Sequence, residues 1–148
     1  MKILCAISCL ILSLALATPS LAEIQTFGPD FSRFNVDVPA GWTAKPNDGG
    51  CQITSKDGAT SVSIQVHKSG GQSALTLAQA ISKEMEGKVV KIEEEKDDPT
   101  KVTIYAEVDG LRVAVCIAVE GDKFLAITMA GSDSASIKKI VNSLSDAK

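Results

Sequence analysis

The sequence predicts an α+β fold: a mostly antiparallel sheet of about seven strands, in the order β-β-β-α-β-β-β-β-α, covered by two helices. Three observations carry this expectation. Apolar residues alternate with polar ones in several short segments, as in Val62-x-Ile64-x-Val66 and Val102-x-Ile104-x-Ala106-x-Val108. Asp57-Gly58 and Asp109-Gly110 stand between such segments, and Asp-Gly readily takes the positive φ angles of a two-residue hairpin turn. Two other stretches, one beginning at Thr76 and one at Ser132 or Asp133, change from a period of two to a period of three to four.

Taken in order, Glu23 to Asp30 reads as a polar lead-in with Gly28-Pro29. The first strand follows, with Phe34, Val36 and Val38 on one side and Asn35 and Asp37 on the other. Pro39 cannot donate to a ladder and ends it. Gly41 permits a tight bend, and Trp42 has the area to close the end of the core. Asn47-Asp48-Gly49-Gly50 is a turn cluster. Strands are expected over Cys51–Ser55 and Thr60–His67, joined through Asp57-Gly58. A helix is expected over Thr76–Glu86, with Leu77, Ala78, Ile81 and Met85 on one face, a Thr76/Gln79 capping box and Gly87 as its stop.

The second half reads as a meander. Its strands are Lys88–Glu94, Lys101–Val108, Leu111–Val119 and Lys123–Ala130. The last two are largely apolar on both faces, which implies a central place with cover on both sides, and small Ala residues would let a helix pack closely. A final helix carries Ile137, Ile140, Val141 and Leu144 at core spacing, with Lys138 and Lys139 on its solvent face.

Of the 148 residues, the first 22 are expected to be a signal peptide. Met1-Lys2 is a short positive start, Ile3 to Ala17 is almost wholly apolar, and Ser20 and Ala22 are small at the two positions a signal peptidase reads. A membrane anchor fits less well, because the apolar run falls short of the ~20 residues a spanning helix needs. No Cys stands at the cut, so lipid anchoring is not expected; Cys5 and Cys9 lie inside the apolar run. Residues 23–148 then form one domain of ordinary size, in a periplasmic or secreted location. The net charge of −3 argues against a nucleic-acid partner, which needs clustered Lys and Arg.

The leader removed, Cys51 and Cys116 remain. In an oxidising compartment such a pair is a candidate disulfide, worth roughly 3–4 kcal/mol if unstrained. The alternative is two buried thiols acting as small hydrophobes.

The strand Phe34-x-Val36-x-Val38-Pro39-x-Gly41-Trp42 resembles the opening motif of the PsbP-like family, which includes bacterial DcrB-like periplasmic proteins. The similarity continues through Thr76-Leu77, Phe124-Leu125-Ala126-Ile127-Thr128 and Ile140-Val141-x-Ser143-Leu144. It implies one antiparallel sheet sandwiched by helices. Members range from a subunit of the oxygen-evolving photosystem to a nucleocytoplasmic transport factor to exported bacterial proteins, so the resemblance implies no catalytic residues and no single function.

A search for chemistry returns little. His67 is the only histidine and ends a strand on its polar face, where a surface role competes with proton transfer. One His and two distant Cys are too few for a His/Cys metal site. The run Glu93-Glu94-Glu95-Lys96-Asp97-Asp98 lacks the Asp/Asn alternation and glycine of a calcium loop and reads as a solvated hairpin tip. Gly49-Gly50 and Gly70-Gly71 match no phosphate-binding pattern. No catalytic, cofactor-binding or metal site is therefore expected. Trp42, Phe34 and Tyr105 are candidate pocket residues, weighed against simple core packing. The expected function is a non-catalytic exported protein that binds another protein or an envelope component. The alternative is a small-ligand carrier with its pocket near Trp42.

Overall fold

The computed structural model describes residues 22–85 and 88–148. The expected leader up to residue 21, the helix end at Glu86 and the stop at Gly87 lie outside the described residues. The elements are β1 (Glu23–Phe27), β2 (Phe34–Val38), β3 (Thr43–Asn47), β4 (Gly50–Thr54), β5 (Ser61–Lys68), α1 (Ala74–Glu84), β6 (Val89–Glu95), β7 (Asp98–Val108), β8 (Leu111–Glu120), β9 (Lys123–Ala130), α2 (Ser134–Asn142) and β10 (Ser145–Asp146). The expected class holds: α+β, with an antiparallel seven-stranded sheet in the order β3-β4-β5-β9-β8-β7-β6 and two helices.

The seven are not the seven expected. The Phe34–Val38 strand leaves the main sheet and forms the middle of a second, three-stranded sheet ordered β1-β2-β10. Its place is taken by β3, which pairs antiparallel with β4 at the edge. Strands β1 and β3 escape sequence reading because most of their side chains face solvent and show no alternation. Pro46 sits inside β3, which is tolerated because an edge strand has one unpaired side.

The Asp109-Gly110 turn behaves as its residues dictate, whereas Asp57-Gly58 sits in a longer loop between Thr54 and Ser61 where Gly58 alone, at 73°, has a positive φ. Asp109 and Gly110 take φ angles of 53° and 78°, closing a two-residue hairpin that locks Val108 opposite Leu111. That lock sets every later pair of β7 with β8, including Tyr105 opposite Ala114. Each helix starts on a side-chain cap. Ser73 Oγ accepts the Thr76 N–H at 3.2 Å, so α1 begins at Ala74, two residues before the expected Thr76, and Asp133 Oδ1 accepts the Ser136 N–H at 3.0 Å.

The main sheet is covered on opposite faces in its two halves. On one face Cys51, Ile53, Val62, Ile64, Val66 and Ile127 form a core with Phe34, Val36 and Val38 of β2 and Ile140 of α2. The Asp37 N–H donates to Ser143 Oγ at 2.9 Å, tying β2 to the end of α2. On the other face Val102, Ile104, Val115 and Ile117 pack beneath Ala74, Leu77 and Ala78 of α1. Strands β8 and β9 lie where the two halves meet, which is why they are apolar on both sides, whereas β5 and β7 alternate with opposite phase.

Candidate functional site

The half-cover leaves the α2 side of the sheet open over β7 and β8, and a groove of about 540 Å³ runs there beside the helix. Its floor is one cross-strand row. Tyr105 stands opposite Ala114, and Ala114 opposite Met129, so the three span β7, β8 and β9 over ~10 Å. The small Ala114 between two long side chains makes the trough. One wall is α2, whose Ile137 and Val141 stand four residues apart on one line, while Ser134, Lys138 and Asn142 follow on the next. Arg112, two residues along β8 from Ala114, lines the groove on the same face of the sheet.

The groove therefore has an apolar bed with cations at its rim. Arg112 and Lys138 both line it, and neither joins an ion pair among the described residues. No carboxylate belongs to the lining. The nearest acid in the ladder is Glu107, directly opposite Arg112 across β7 and β8. Tyr105 is 42% exposed and offers both an aromatic face and a hydroxyl.

The residues singled out from the sequence are dispersed. Phe34 is buried in the core beneath β2, Trp42 packs on the same core from just before β3, and Tyr105 lies on the groove. The three border three different depressions and do not form one pocket. The expected Cys51–Cys116 bridge is corrected: both thiols are free. Cys51 stands opposite Ile64, Ile64 opposite Ile127, and Ile127 opposite Cys116, so three strand spacings, ~14 Å, separate the two residues. A disulfide spans at most ~7 Å between Cα atoms. Cys116 instead lies 3.5 Å from Thr103 Oγ1, and burial pushes the Cys51 thiol up to about 12. The alternative reading, two thiols packed as small hydrophobes, is the one the geometry supports.

His67 is half-buried and tilts against Phe124, with 5.6 Å between ring centroids. The acidic run makes the β6–β7 hairpin, where Lys91 pairs with Glu93 at 3.0 Å and Lys101 with Asp98 at 2.9 Å. Among the described residues no group of three or more His, Cys, Asp or Glu side chains could hold a metal ion. No described helix is long and apolar enough to cross a membrane.

Sequence reading missed Arg112, Lys138 and Met129 as neighbours. The signal was present in the Asp109-Gly110 turn, which fixes the row, but which face α2 covers is decided by packing rather than by pattern.

No family model and no curated protein matches this chain. Its fold is similar to the solution structure of the cyanobacterial PsbP of Synechocystis sp. PCC 6803, with a TM-score of 0.55 and 10% identity over 85% of this chain and 94% of that one. It is also similar, at a TM-score of 0.47 and 14% identity, to a chain from Bacteroides thetaiotaomicron VPI-5482 whose crystal structure was determined at 1.50 Å. That match covers 78% of this chain and 45% of the Bacteroides chain, so this chain spans less than half of the other's length. At such identities the likeness concerns the fold, and the fold is PsbP-like.

Proposed function

We propose that this is an exported, non-catalytic binding module of the DcrB-like kind, which engages an envelope component through the groove beside α2. The carrying observation is the uncovered trough itself: an apolar floor of Tyr105, Ala114 and Met129 with Arg112 and Lys138 at its rim. A binding surface is recognised by such a concave apolar bed with a few placed polar groups. Export rests on the leader-like residues 1–22, and β1 begins at Glu23, the residue after the proposed cut. Residues 23–148 act as one domain in this reading, and the location is periplasmic or secreted. The PsbP-like fold is compatible with the reading and does not by itself dictate it.

Photo-crosslinking in the native host tests this. A benzoyl-phenylalanine at position 105 should give one discrete adduct in the envelope fraction, while the same group at Gln52, on the opposite face of the sheet, should give none. Equal labelling at both positions, or an adduct only at 52, contradicts the reading.

A further inference from the structure

We infer that the groove beside α2 takes a single-chain amphiphile bearing one anionic head group, such as a medium-chain carboxylate. This rests on the binding function proposed above and names its ligand. The floor and inner wall supply Met129, Ala114, Ile137 and Val141, whose side chains carry no hydrogen-bond donor and only the weak thioether acceptor of Met129. The polar side chains of Tyr105, Arg112, Ser134, Lys138 and Asn142 share the lining. The bed is long enough for an extended chain: the strand row covers ~10 Å and the stretch from Ser134 to Asn142 covers ~12 Å of helix. A volume of about 540 Å³ suits a small molecule rather than a folded segment.

Charge selects the head group. Arg112 approaches from β8 and Lys138 from α2, so the groove is flanked by cations from two separate elements. A cationic ligand would be repelled by both. A neutral one would accept their N–H donors without the added attraction of opposite charge. An anion would gain charge-assisted hydrogen bonds, with the Tyr105 hydroxyl as a further donor on the same lining. Glu107 stands opposite Arg112 across the ladder without forming an ion pair with it, and Asp133 accepts from Ser136 at the start of α2. Neither lines the groove.

The test is titration of the purified protein with decanoate, decanol and decyltrimethylammonium, each below its micelle concentration, followed by calorimetry and amide chemical shifts. Decanoate should saturate with a Kd on the order of 10–100 μM, at least about tenfold tighter than decyltrimethylammonium, and should move resonances of Tyr105, Ala114 and Val141. Arg112→Ala with Lys138→Ala should weaken decanoate at least about tenfold and leave decanol unchanged. Ala114→Trp should fill the trough and abolish binding; because it could disturb folding, Lys138→Glu, on the exposed side of α2, serves as the second variant and should also weaken decanoate. Absence of binding, shifts that map outside the groove, or equal affinity for the anion and the cation would overturn the inference. If decanoate fails while the crosslink at position 105 succeeds, the ligand class is wrong and the binding surface stands. If the crosslink fails while decanoate binds as stated, the groove and its ligand class stand and the proposed engagement of an envelope component falls.

Discussion

Cys51 and Cys116 point from the same face of the main sheet in a single row, with Ile64 of β5 and Ile127 of β9 standing between them. The consequence is chemical. Digestion of the folded protein after alkylation without reductant should yield the two residues in separate peptides with no disulfide between them. Cys116, half-buried, should be alkylated first. Cys51 is fully buried, its pKa is pushed up to about 12, and it should react only on unfolding. A Cys51–Cys116 linked peptide would contradict the arrangement of these four strands.

The opposed covering of the two sheet halves makes two core positions equivalent in cost. Ile64 lies beneath β2 and α2, Ile104 beneath α1, and each is 0% exposed. Ile64→Ala and Ile104→Ala should each lower unfolding free energy by about 2–5 kcal/mol in urea titrations. A loss under 1 kcal/mol at Ile104 would mean that α1 does not cover its half of the sheet.

Gly50 and Gly58 separate space from backbone angle. A Cβ at Gly50 would collide with the Ile64 carbonyl oxygen across the β4–β5 ladder. At Gly58 nothing lies near, but φ is +73°. Gly50→Ala should therefore cost on the order of 3 kcal/mol or more, and Gly58→Ala about 1 kcal/mol. Thermal unfolding of the two variants gives the order directly, and a reversed order would contradict the β4–β5 register.

The turn containing Gly58 also sets an acid response. Asp57 accepts from the Ser55 hydroxyl at 2.6 Å and from the Ala59 N–H at 3.0 Å, and these bonds hold its carboxyl below the usual value. The unfolded chain then binds that proton more readily, so the contribution is complete above about pH 4 and is lost as pH falls through the lower folded value. Asp57→Asn should show a smaller drop in urea midpoint between pH 6 and pH 3 than the unaltered protein. Identical drops would remove Asp57 from the acid response.

These positions also show what the residues alone reveal. Alternation in β5 and β7 and the Asp109-Gly110 turn are local signals, and they carry the class, the meander and the central place of β8 and β9. Strands β1 and β3 are edge strands with mostly solvated side chains, so no hydrophobic period marks them. The departure of β2 into its own sheet is decided by Phe34, Val36 and Val38 packing on Ile140 and the main sheet, a long-range contact that no window of sequence contains. The site follows the same rule. Tyr105 was legible as an aromatic residue on a strand, whereas its neighbours Arg112, Met129 and Lys138 meet only through the register and the docking of α2.

The most direct test of the groove as the binding surface is a hydrogen-exchange footprint of the purified protein with and without native envelope extract. The account predicts added protection at Tyr105, at 112–115 in β8 and along α2, with no change at Gln52, Ser63 and Gln65 on the opposite face of β4 and β5. Protection confined to β3, β4 and β5, with α2 unaltered, would contradict it.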